Sequence, residues 1–108
     1  MRAIRYVVVV AVTLAVSQAL AAEDEDVTKG RQLAERLCSR CHAIGPEGDS
    51  PFEPAPPFRT LVAKWPDTEV LAEALAEGID VGHPAMPEFV LQPKEIGELL
   101  SYLETLKK

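Results

Sequence analysis

Apolar residues run almost without interruption from Tyr6 to Val16, broken by Thr13, and then change to a spaced pattern. From Val27 the apolar or small positions Gly30, Leu33, Ala34, Leu37 and Cys38 recur at steps of three and four, which predicts a helix running into Cys38. Asp26 or Thr28 stands where its cap belongs, and the acidic stretch Ala22–Asp26 before it reads as a frayed tail. Between Gly45 and Pro57, prolines at 46, 51, 54, 56 and 57 exclude a regular element and predict a long loop. Phe58–Trp65 predicts a short helix with Leu61, Val62 and Trp65 on one side. Asp67 or Thr68 caps a further helix through Val70, Leu71, Leu75 and Ala76, which ends at Gly78. A second loop, Ile79–Gln92, leads to Pro93 at a first helical position, and the last helix presents Ile96, Leu99, Leu100, Leu103 and Leu106, with Tyr102 at the margin. After the leader no alternating stretch is long enough for a strand. The fold class is therefore all-α, with about four helices.

The leader is a separate object. Arg2 and Arg5 precede the apolar run, and Ala19-Leu20-Ala21 closes it with an A-x-A site, so residues 1–21 read as a secretory signal peptide and 22–108 as one domain. A run of about a dozen apolar residues falls short of the ~20 that span a bilayer, which argues against the alternative, an uncleaved membrane anchor. Export without an anchor implies a periplasmic destination.

Cleavage there removes two of the 11 basic residues and none of the 17 acidic ones, leaving 9 against 17 and a formal charge of −8. That balance argues against a nucleic-acid partner and a polybasic membrane patch and suits redox partners with basic docking faces, with simple solubility as the alternative. A domain this short buries little apolar surface for its size, and two cysteines cannot build a disulfide framework. A large apolar bound group would supply the missing core.

Cys38-Ser39-Arg40-Cys41-His42 names that group, because C-x-x-C-H is the attachment motif of haem c. Two thiols three residues apart reach the two vinyl groups of one porphyrin edge, and the adjacent histidine places an imidazole nitrogen on the iron. A redox dithiol requires a βαβ setting that this chain lacks, and zinc would lack ligands. For the opposite axial position the chain offers Met86 and, as a rival, His83. Met86 is favoured, since methionine opposite histidine is the usual pairing in cytochromes c, and Pro84 and Pro87 stiffen its backbone. A five-coordinate iron, open to small gaseous ligands or peroxide, is the remaining alternative.

C-x-x-C-H, a proline-flanked methionine and a terminal amphipathic helix, in that order, resemble the class I monohaem c-type cytochromes of bacterial periplasms over residues 27–106. Gly82-His83-Pro84-Ala85-Met86-Pro87 looks like that family's methionine loop, and Leu99–Leu103 like its last helix. The resemblance implies a close crossing of first and last helices, at which Gly30 and Tyr102 take the glycine and aromatic places. It also implies a proline carbonyl that accepts a hydrogen bond from the axial histidine. Ala55-Pro56-Pro57-Phe58 nominates Pro56, with Pro54 and Pro57 as neighbours that sequence does not separate. Arg59 and Trp65 become candidates to hold the haem propionates, against a solvated arginine and an ordinary core tryptophan.

The implied work is one-electron transfer without enzymatic turnover, by a monomer carrying one haem c, with redox proteins as partners. A subunit role in a periplasmic oxidoreductase complex shares the same chemistry.

Overall fold

In the computed structural model, which describes residues 2–65, 67–78 and 85–107, four helices follow one another: α1 (Arg2–Leu37), α2 (Phe58–Lys64), α3 (Thr68–Glu77) and α4 (Pro93–Glu104). Among the described residues there is no strand, and the all-α class holds.

The first helix corrects one expectation. Ala22–Asp26 is not a frayed tail, and neither Asp26 nor Thr28 caps a helix there, because α1 runs continuously for 36 residues. No glycine or proline occurs between Arg2 and Lys29, so nothing interrupts the backbone ladder. The Thr28 hydroxyl instead donates to the Asp24 carbonyl at 3.0 Å, as a mid-helix threonine does, and Lys29 pairs with Glu25 at 2.7 Å one turn away. Residues 15–26 are exposed; burial begins where the apolar periodicity begins, with Leu33 and Ala34 in the core.

Each later helix has a local cause. Asp67 caps α3 by accepting from the Glu69 amide at 3.0 Å, and Gly78 ends it in a left-handed conformation (φ 103°). Pro93 sits in the first turn of α4, and the Glu95 carboxylate reaches back to the Gln92 amide at 3.0 Å. The Leu91 amide donates to the Leu75 carbonyl at 3.0 Å, which satisfies one of the carbonyls left over at the end of α3 and fastens the incoming segment there.

α4 is the hub against which α1, α2 and α3 pack. Ile96, Leu99, Leu103 and Leu106 are buried with Leu33, Ala34, Phe58, Val62 and Leu75. Tyr102 is not marginal, as the helical wheel implies, but buried, since its hydroxyl donates to the Ile44 carbonyl at 2.6 Å and the ring can enter the core with its polar tip satisfied. The crossing of α1 on α4 depends on Gly30. A Cβ there would lie 1.9 Å from the Glu98 carbonyl oxygen and 2.9 Å from the Cβ of Tyr102.

Candidate functional site

The end of α1 delivers the cysteine motif. Past Leu37 the chain tightens into one further turn: the Cys38 and Ser39 amides donate to the Ala34 carbonyl, and the Cys41 and His42 amides both donate to the Cys38 carbonyl, at 3.2 and 2.9 Å. Cys38, Cys41 and His42 therefore share a single turn. The two thiols are not joined in a disulfide, and both are half-buried. Burial against the core pushes the Cys38 thiol up to about 11, so near neutral pH it carries its proton. A buried, protonated thiol is a poor nucleophile toward disulfides, which counts against Cys38 as the attacking thiol of a redox dithiol.

His42 is oriented by the proline-rich loop. Its Nδ1 lies 2.7 Å from the Pro56 carbonyl oxygen; a carbonyl only accepts, so Nδ1 carries the proton and Nε2 is the ring's lone-pair nitrogen. The imidazole also rests on the Phe58 ring, with centroids 5.4 Å apart and planes tilted by 49°. Among the three neighbouring prolines, it is Pro56 whose carbonyl meets the imidazole.

The loop that presents Pro56 lacks regular structure but is laced to the motif. The Ala43 amide donates to the Ser50 hydroxyl at 3.0 Å, the Phe52 amide to the Cys41 carbonyl at 3.2 Å, and the Phe58 amide to the Ala43 carbonyl at 2.9 Å. Sequence reasoning missed these ties. Ser50-Pro51 signals a turn, but nothing in the sequence says where a serine hydroxyl lands.

The remaining candidates divide. Arg59 is not a solvated arginine: its Nη1 is buried and has no hydrogen-bond partner from the protein. Trp65 is not a core tryptophan, being 48% exposed at the end of α2, where the chain turns away after Lys64. Met86 is half-buried in the bend before Pro87, and His83 lies outside the described residues.

A covalently held haem fits this set of residues. Two free thiols on one turn, an imidazole with its Nδ1 already occupied, and an arginine with a buried, unpartnered Nη1 are what a dicarboxylate porphyrin bound at two thioethers would engage. Leu37, Ile44, Leu61, Leu71, Phe89 and Leu100 pack on the core yet stay half-exposed, apolar surface that the chain covers only in part.

Residues 25–103 match the family described as cytochrome c oxidase, cbb3-type, subunit III. The chain is also 35% identical over 99 residues to cytochrome c-552 of Bradyrhizobium diazoefficiens, covering 92% of this chain and 89% of that protein. No solved structure matches. On the match over residues 25–103, the c-552 likeness along nearly the whole of both chains, and the turn that holds Cys38, Cys41 and His42, the chain belongs to this cytochrome c family, as a small monohaem c-type cytochrome with covalently bound haem c.

Proposed function

We propose that this protein is an exported one-electron carrier whose haem is bound to Cys38 and Cys41 and whose iron is held by His42 on one side and Met86 on the other. The observation that carries the reading is the 2.7 Å contact between His42 Nδ1 and the Pro56 carbonyl, which fixes the tautomer and turns the ring so that Nε2 is the donor to iron. The haem, when bound, supplies a metal that alternates between ferrous and ferric states.

The chain's own residues keep that exchange simple. His42 is held by Pro56 and Phe58 and Met86 by its flanking prolines, so neither has to move as the charge changes. With His42 and Met86 both bound, the iron would keep no open position for a substrate, and the protein would act without enzymatic turnover. Arg59 Nη1 would answer a propionate carboxylate, which would give this buried nitrogen its missing acceptor. Trp65, exposed at the end of α2, would offer its indole N–H to a propionate as well. His83 stands as the rival to Met86.

Residues 1–21 are read as a signal peptide removed on export to the periplasm, leaving the −8 chain as a monomer that meets redox partners through their basic faces. A second reading is favoured by the family's own description, which is that of an oxidase subunit. In that case the same chemistry serves a fixed partner in an oxidoreductase complex, and the protein would not purify alone.

Optical spectra of the haem-loaded protein, oxidised and reduced, test the central claim. They are expected to show c-type bands and the weak far-red band of iron–methionine ligation, and Met86→Ala is expected to abolish the far-red band. A far-red band that survives Met86→Ala would remove Met86 from the account; c-type bands with no far-red band in the parent protein would point to His83 or to an open, reactive iron.

A further inference from the structure

The contact of His42 with Pro56 raises a question that the motif does not answer, namely what holds a carbonyl steady in a loop with no regular structure. Five prolines between 46 and 57 lack an amide hydrogen, so this segment has few donors with which to anchor itself. Besides the Phe52 amide, which donates to the Cys41 carbonyl at 3.2 Å, the anchorage falls on Ala43, the residue next to His42, and both of its backbone groups are used. Its carbonyl accepts from the Phe58 amide at 2.9 Å, which fixes the chain two residues beyond Pro56. Its amide donates to the Ser50 hydroxyl at 3.0 Å in a partly buried setting, which fixes the chain six residues before Pro56. A turn in which the Ala55 amide donates to the Phe52 carbonyl at 2.9 Å lies within the span between these ties.

We infer that Ser50 is a positioning residue for the axial histidine: by holding Ala43 it closes the loop that keeps the Pro56 carbonyl on His42 Nδ1. This rests on the reading that His42 ligates iron. A hydrogen bond from Nδ1 to a carbonyl makes Nε2 a better electron donor, which favours the more highly charged ferric state. Loosening the clamp lets the carbonyl retreat, weakens that donation and moves the couple toward the ferrous state. Ser50 thus acts on the potential without touching the haem or its ligands.

The experiment uses the full chain loaded with haem. Ser50→Ala removes the acceptor, and the pair Ser50→Thr and Ser50→Val compares two side chains of the same shape that differ in the hydroxyl. Three quantities are read: the midpoint potential, the proton resonance of His42 Nδ1–H with its exchange rate in the reduced state, and the far-red band. The expected result is an upward shift of the potential and faster Nδ1–H exchange in Ser50→Ala and Ser50→Val, with parental values restored in Ser50→Thr and the far-red band retained in all three. A potential and an Nδ1–H exchange rate identical in Ser50→Ala and parent would overturn the assignment. If Ser50→Ala takes up no haem, the amide exchange of Ala43 in the parent decides: protection supports the contact, and exchange at the rate of an open loop overturns it. Failure of the underlying reading is distinguishable, since a parent protein whose His42 does not ligate iron shows no haem-shifted His42 resonances at all.

Discussion

At the scale of single residues, Gly30 and Tyr102 decide whether the first and last helices can meet. Any side chain at position 30 would begin 1.9 Å from the Glu98 carbonyl oxygen, a backbone atom that cannot swing aside, so α1 and α4 would have to separate. Gly30→Val should therefore cost about 3 kcal/mol, at the upper end for an overpacked contact, and lower the melting temperature by more than about 10 °C. An unchanged denaturation midpoint would show that the crossing tolerates a wider approach.

Tyr102 carries a pH signature. Burial raises its phenol pKa above the ordinary value, with Arg31 opposing the shift by favouring the phenolate. Its folded value thus lies above its unfolded one. The unfolded chain releases this proton first as pH rises, so the stabilisation is whole below about pH 10 and is lost as pH climbs through the folded pKa. Tyr102→Phe is expected to cost about 1 kcal/mol at neutral pH through the hydrogen bond lost to Ile44. It should also flatten the alkaline decline relative to the parent. Urea unfolding at several values between neutral and alkaline pH would expose both effects, and parallel curves would mean that the phenol does not titrate differently in the fold.

At the scale of elements, what was legible in the sequence was whatever rests on local chemistry. The end of α3 at Gly78 and the start of α4 at Pro93 each follow from one residue's backbone preference, and each stands where the pattern placed it, as does the helix that runs into the cysteine motif. Position 67 is of the same kind. Asp67→Ala should remove the acceptor for the Glu69 amide and cost about 1 kcal/mol, read as a lower unfolding midpoint, while Asp67→Asn should retain most of it. The start of α1 was misplaced because an acidic tail looks unstructured by composition, although nothing in it breaks a helix. The burial of Tyr102 and the exposure of Trp65 were not legible for another reason. Both depend on which partner the opposite face meets, and the Ile44 carbonyl that satisfies Tyr102 lies 58 residues away in the chain. The link from His42 to Pro56 was nominated by resemblance alone, whereas the Ser50 tie behind it has no counterpart in any periodicity.

At the scale of the whole molecule, the protein core is thin in a way that bears on what folds the chain. Among the described residues twelve apolar residues are buried, yet no large side chain is fully enclosed, and Leu37, Ile44, Leu61, Leu71, Phe89 and Leu100 remain half-exposed against the core. A chain of 108 residues, part of it a helix whose residues 15–26 touch no core, has little apolar area to set against its conformational entropy. A covalently tethered porphyrin would add a rigid apolar surface that such a core lacks, and its tether would remove the entropy of binding from each folding event. Changing Cys38 and Cys41 together to serine should abolish attachment and, with it, a large part of the ~5–15 kcal/mol typical of a stable domain. The expected product keeps helical far-ultraviolet circular dichroism, because the caps at Asp67 and Pro93 are local, but loses its sharp thermal transition and near-ultraviolet signal. A cooperative melt at the parental temperature in the haem-free variant would mean instead that α1 and α4, locked at Gly30, suffice as a core and that the haem is a passenger in a fold already complete.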